Sequence, residues 1–134
     1  MAGNHFVLDT SAIFTLIEDE DGADRVEQIL KKNKVTVPWV VLMEVLYISR
    51  QEKGEEIAMQ RYAAIKQTGI TIVWDVDEPT LLTTARLKAS YRLSFADSII
   101  AAIAIQQGAI LLHKDPEYQP LQDVVEMEIL PYKK

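Results

Sequence analysis

His5-Phe6-Val7-Leu8-Asp9-Thr10-Ser11-Ala12-Ile13 is the stretch from which the rest of the chain is read. The apolar run Phe6-Val7-Leu8 ends in Asp9, and two hydroxyl residues follow at once. Three apolar residues in succession, without alternation, fit a strand buried on both faces in the middle of a sheet. A carboxylate at the C-terminal end of such a strand stands where open α/β sheets bind their ligands. The plainer role for Asp9 is a helix cap or turn residue, for which Asp is common. Thr10 and Ser11 can equally cap the helix or hold a carboxylate or a water. Both readings stay open at this point.

Outward from this stretch, strand-like and helix-like segments alternate. Thr10 to Ile17 continues as a short helix or turn into Glu18-Asp19-Glu20-Asp21. Asp21 or a neighbour is placed to cap a helix that carries Ala23, Val26, Ile29 and Leu30 at helical spacing to Lys32. Val35-Thr36-Val37 predicts a strand closed by Pro38, and a helix follows from Trp39 to about Arg50. Ile57, Arg61 and Ile65 mark a third helix that stops at Gly69. Ile70 to Trp74 reads as a strand, and Asp77-Glu78-Pro79 opens a helix to about Ser90 with proline in its first turn. Ile99 to Ile105 is apolar all round, so its helix should be buried against the sheet and end at Gly108. Ala109 to Leu112 is the next strand, finishing in His113-Lys114-Asp115. Pro116 and Pro120 predict a non-helical loop, and Met127 to Leu130 a last edge strand. The alternation predicts an α/β fold, a three-layer α/β/α sandwich with a mostly parallel sheet of about five strands.

With 134 residues, 49% of them hydrophobic, the chain fits a single domain spanning 1–134. Such a domain buries roughly two-thirds of its unfolded surface and needs no disulfide or structural zinc. It has no cysteine, which excludes thiolate chemistry and fits a reducing compartment. No apolar run reaches the roughly 18 to 20 residues of a membrane span. Met1 to His5 carries no basic residue ahead of Phe6 and no signal-peptide pattern follows, so the cytoplasm is the expected location. Fourteen Lys and Arg against 20 Asp and Glu give a net charge of -6. That disfavours tight, non-specific binding of nucleic acid but not a nuclease, because clustered carboxylates bring their own cations.

Three further acidic residues stand at element edges or among apolar neighbours. Glu44 is flanked by Leu42, Met43, Val45 and Leu46, and a carboxylate buried there must be paired, protonated or on a metal. A salt bridge to Arg50, Arg86 or Arg92 is the alternative. Asp97 opens the most apolar helix, where Ser94-x-x-Asp97 also has the form of a capping box. Asp115 follows a strand as Asp9 does. Together Asp9, Glu44, Asp97 and Asp115 make an oxygen-rich donor set suited to Mg²⁺ or Mn²⁺. Such a site suits phosphodiester hydrolysis, because a cation there polarises the phosphate and activates water. His113 and His5 read as packed or hydrogen-bonded groups rather than catalysts.

With these residues in view, the whole chain resembles a small stand-alone PIN domain, and most nearly the ribonuclease toxin of VapBC toxin-antitoxin pairs. The resemblance lies in Val7-Leu8-Asp9-Thr10-Ser11-Ala12, Val41-Leu42-Met43-Glu44-Val45-Leu46, Leu93-Ser94-Phe95-Ala96-Asp97-Ser98 and Leu112-His113-Lys114-Asp115. It implies that Asp9, Glu44 and Asp97 coordinate Mg²⁺ or Mn²⁺, that Asp115 completes the pocket, and that Ser11 is the hydroxyl beside the first aspartate. It further implies a five-stranded parallel sheet, a homodimer, an RNA substrate, and an antitoxin whose C-terminal segment blocks the cleft. The helices from Gly22 to Ile65 are a sensible surface for that antitoxin. One departure is His113, where many members have threonine or serine two residues before the last aspartate.

Other classes fit less well. A haloacid-dehalogenase-like phosphatase would want Asp-x-Asp at the first strand, and the third residue here is Ser11. A receiver-type phosphoacceptor would want an acidic pair before its strand-end aspartate. A non-catalytic RNA-binding or protein-docking module of the same fold is the remaining alternative.

Overall fold

Phe6, Val7 and Leu8 are fully buried, as a strand covered on both faces requires. In a computed structural model, which describes residues 4–132, they belong to β1 (His5–Leu8), the central strand of five. Readings of Met1–Gly3 and Lys133–Lys134, including the absence of a leader signal, lie outside the described residues. The remaining strands are β2 (Lys34–Pro38), β3 (Thr71–Val73), β4 (Ile110–His113) and β5 (Met127–Ile129), in the spatial order β3-β2-β1-β4-β5. All pairings are parallel. Helices α1 (Thr10–Ile17), α2 (Ala23–Lys32), α3 (Trp39–Lys53), α4 (Glu55–Lys66), α5 (Glu78–Ser90) and α6 (Phe95–Gln106) cover both faces. The predicted three-layer α/β/α sandwich is therefore the fold. No described helix is long and apolar enough to cross a membrane.

The strand order dictates where a ligand can sit. The chain moves outward from β1 through β2 to β3, then crosses back to β4 on the other side of β1. Loops leaving β1 and β4 diverge, and the crevice between them is the binding position of open α/β sheets. Register sharpens this. Leu8 pairs with Leu112, so Asp9 and His113 end the two strands at the same level. The Asp9 amide donates to the Leu112 carbonyl at 3.2 Å.

The cap of α2 falls on Asp21's neighbour Gly22, with φ of 101°, and a Cβ there would meet Pro131 and Leu130 at 3.1–3.2 Å. One local expectation is corrected. The segment after Asp115 is not an irregular loop but a 3-10 helix, Pro116–Leu121. Pro116 sits in its first turn, where a missing amide costs nothing, and the Tyr118 amide closes onto the Asp115 carbonyl. His113 extends β4 by one residue beyond Leu112 and is fully buried, the packed group expected of a histidine at a strand end.

α6 is the most deeply buried helix, with Ser98 to Ala104 all buried. Its apolar residues pack against β1 and β4, the two strands that flank the crevice. The helix that brings in Asp97 is thus anchored by its own hydrophobic length.

Candidate metal centre

Asp9 follows β1 and serves as the N-cap of α1, its Oδ1 accepting from the Ala12 amide at 2.8 Å. The Ser11 hydroxyl donates to the same carboxylate, 2.7 and 2.8 Å from its two oxygens. The residue is only 2% exposed. Loss of hydration pushes its carboxyl up to about 7, against the lowering effect of the Ser11 and Ala12 hydrogen bonds. The charges of Asp97 and Asp115 add to the rise. The capping and site readings of Asp9 are therefore compatible: one oxygen caps the helix while the group as a whole faces other carboxylates.

Glu44 lies on α3, whose buried face is Val40, Val41, Leu42, Val45 and Ser49. The sequence expectation of a buried glutamate is corrected to a half-buried one. Neighbouring Met43 and Tyr47 are 46% exposed each, so the apolar run around Glu44 does not enclose it. Its partner is the Thr10 hydroxyl at 2.5 Å. Arg50, one of the three arginines considered for it, pairs with Glu55 instead.

Ser94 caps α6, its hydroxyl accepting from the Asp97 amide at 3.1 Å, as the capping signature predicts. The Asp97 carboxylate also accepts the Tyr118 hydroxyl at 3.0 Å. Burial raises Asp97 to about 6, opposed by the Tyr118 bond and assisted by the charges of Asp115 and Glu44. Asp115 is half-buried beyond β4. Its carboxylate accepts from the Glu117 amide at 2.9 Å, and its own amide donates to His113 Nδ1 at 3.0 Å.

These residues come from four places in the chain and line one open cleft of about 540 Å³. Asp9, Ser11, Glu44, Asp97 and Asp115 are all on its wall, with Glu18, Glu20, Glu52 and Lys114. The tightest grouping is Asp97, Asp115 and Glu117, whose carboxylate oxygens lie within 4.8 Å of one another. Like charges held this closely, with Asp9 and Asp97 both raised by burial, favour either protons or a bound cation. The donors are all oxygens, which suits a hard divalent ion, so the residues present fit Mg²⁺ or Mn²⁺.

Three residues of the site escaped sequence reasoning. Glu117 sits on the 3-10 helix and follows Asp115 by two, a signal hidden by the expectation of an irregular loop. Tyr118 is fully buried and reaches Asp97 across 21 residues of sequence. Lys114 is 8% exposed; its amide donates to Ser11 Oγ and its Nζ to the Asp21 carbonyl, at 2.8 and 2.7 Å. His113, expected as a packed or hydrogen-bonded group, is buried and held neutral by desolvation, with a pKa of about 4.

Residues 6–123 match the sequence profile of the PIN domain. The chain belongs to the PIN domain family. No curated protein matches it in sequence. Among solved structures, this PIN domain is similar to a chain of VapBC2 from Rickettsia felis bound to a DNA fragment from their promoter. The TM-score is 0.78 at 17% identity, over 95% of this chain and 99% of the other. It is also similar to a chain of DNA-bound VapBC from Salmonella typhimurium, at TM-score 0.75, 17% identity and coverage of 95% and 98%. VapC20 of Mycobacterium tuberculosis, a Sarcin-Ricin loop cleaving toxin, gives 0.72 and 16%, covering 94% and 99%. At these identities the likeness establishes a shared fold.

Proposed function

We propose that this PIN domain is a divalent-metal-dependent endoribonuclease, the toxin of a toxin-antitoxin pair. The observation that carries the reading is a single cleft, at the switch point of the sheet, lined by Asp9, Glu44, Asp97 and Asp115. Family membership and the fold shared with VapBC structures support it. Asp9, Asp97, Glu44 and Asp115 would hold Mg²⁺ or Mn²⁺, with Glu117 beside them. When bound, such an ion supplies Lewis-acid charge to a phosphate and acidifies water. The chain's own residues prepare the donors. Ser11 orients Asp9, Thr10 anchors Glu44, and the Ser94 cap fixes the start of the helix that carries Asp97.

The same cleft suits an arginine-bearing segment of an antitoxin, since seven of its lining residues are acidic. Trp74, Leu81, Leu82 and Phe95 are each more than half exposed and give apolar area for a homodimer or an antitoxin. In this reading residues 1–134 form one domain acting in the cytoplasm.

The test is cleavage of a panel of transfer RNA, ribosomal fragments and single-stranded RNA in Mg²⁺, Mn²⁺ or EDTA, using protein freed of any partner. Wild type should cut only with the cation, and Asp9→Asn and Asp97→Asn should lose at least about 10²-fold, the scale of removing one essential group. Cleavage that persists in both variants sinks the proposal. Tight RNA binding without cleavage in Mn²⁺ would move the chain to the non-catalytic module.

A further inference from the structure

Tyr118 and His113 are in van der Waals contact, ring centroids 4.8 Å apart and tilted by 58°. Both are completely buried. Each ends on a different carboxylate-bearing segment of the cleft. Tyr118 donates its hydroxyl to Asp97 Oδ1 at 3.0 Å, while His113 Nδ1 accepts the Asp115 amide at 3.0 Å. The second bond fixes the tautomer: Nδ1 is the bare nitrogen, so the ring proton of the neutral imidazole is on Nε2. Nε2 has no hydrogen-bond partner among the described residues. A polar nitrogen left unpaired in the interior costs stability that an apolar ring would not. The compensating interaction is the one at Nδ1, which a phenyl ring cannot make.

We propose that Tyr118 and His113 are positioning residues, a buried aromatic brace that sets Asp97 and Asp115 against each other for a shared cation. The inference rests on the metal-binding reading of the cleft. Tyr118 is rooted in the 3-10 helix that Asp115 itself caps, so the brace closes a circuit: Asp115, its helix, Tyr118, Asp97. Tyr118 and Ser94 are the side-chain partners of the Asp97 carboxylate, and of the two only Tyr118 ties it to the segment that follows β4. A phenol's ordinary pKa of about 10 keeps the hydroxyl a donor throughout the neutral range. Partners of this kind behind metal ligands govern affinity about as strongly as many ligands do.

The experiment is calorimetric titration of Mn²⁺ into partner-free protein, with thermal unfolding in EDTA recorded for every variant. Tyr118→Phe keeps the ring and removes only the hydroxyl. It should weaken Mn²⁺ about tenfold or more while the unfolding temperature in EDTA stays near that of wild type. His113→Phe, which keeps a ring but loses the Nδ1 acceptor, should weaken it in the same direction. Leu121→Ala, on the same 3-10 helix and fully buried, is the control for packing alone; it should lower the unfolding temperature and leave Mn²⁺ affinity unchanged. Unchanged or tighter binding in Tyr118→Phe overturns the brace, as does an equal loss of affinity in Leu121→Ala. A wild type that binds no Mn²⁺ overturns the metal-dependent function as well, which separates the two failures.

Discussion

β1 and β4 run side by side and end level with one another, yet they hold their carboxylates in opposite ways. At the end of β1, Asp9 is buried and its oxygens receive donors from Ser11 and Ala12. At the end of β4, Asp115 is half-buried and its side chain is engaged by the Glu117 amide. The first group is rigid and electrostatically unfavourable. The second keeps contact with water and can adapt. Of the two strand ends, the cost of taking a carboxylate out of water therefore falls on that of β1, where hydrogen bonds from Ser11 and Ala12 hold the group in place.

The largest effect should come from removing that charge. At pH 8 in EDTA, Asp9→Asn should stabilise the protein by roughly 2–4 kcal/mol, whereas Asp115→Asn should change it by less than about 0.5 kcal/mol. Urea unfolding measures both, and equal shifts would break the contrast between the strand ends. The same charge sets a pH dependence. Asp9 titrates near 7 in the fold against 3.8 ordinarily, so the folded protein keeps a proton that the unfolded chain has released. Its contribution is complete below about pH 3.8 and is lost as pH rises through 7, on the order of 4 kcal/mol in all. Metal-free wild type should lose stability relative to Asp9→Asn from pH 5 to 8. The difference between the two curves isolates Asp9, because His113 is common to both. With its folded pKa near 4, His113 stabilises above 6.5 and loses that contribution on acidification.

Next in size is Ser11→Ala. It removes the donor to Asp9 and the acceptor of the Lys114 amide, and should cost about 1–3 kcal/mol in the same unfolding assay. A neutral result would mean that the Ala12 amide alone holds Asp9. The smallest expected effect is Arg25→Ala, which breaks an exposed pair with Glu128 on β5. It should cost about 0.2–1 kcal/mol and leave the pH difference between wild type and Asp9→Asn untouched. A larger shift would show that the sheet edge is coupled to the strand ends.

Much of this arrangement was legible in the sequence. An unbroken apolar run ending in a charge reports its own burial, which is why β1 and Asp9 were found together. The all-apolar Ile99–Ile105 segment likewise reported both its helix and the face against the sheet. Glu44 was less legible, because apolar neighbours along a helix point in several directions. Met43 and Tyr47 turn to solvent and leave the glutamate half-exposed. The burial of His113 was legible, but Tyr118 was not. Its contacts depend on a 3-10 helix whose two prolines, read singly, argue for no helix. The Tyr118–Asp97 bond has no periodic signature, since it is made only after α6 and the segment following β4 have packed.

Lys114 links parts of the molecule that the topology assigns to different elements. Its main chain is bound to the hydroxyl that holds Asp9, and its side chain is bound to the turn between α1 and α2. One residue is thus a transmission shaft between the rim and the floor of the cleft. A partner that displaced the Glu20–Asp21 turn would therefore act on a residue whose amide is bound to the hydroxyl that holds Asp9. Slow hydrogen exchange at the Lys114 and Ala12 amides would then register, from the floor of the cleft, whatever docks against that turn.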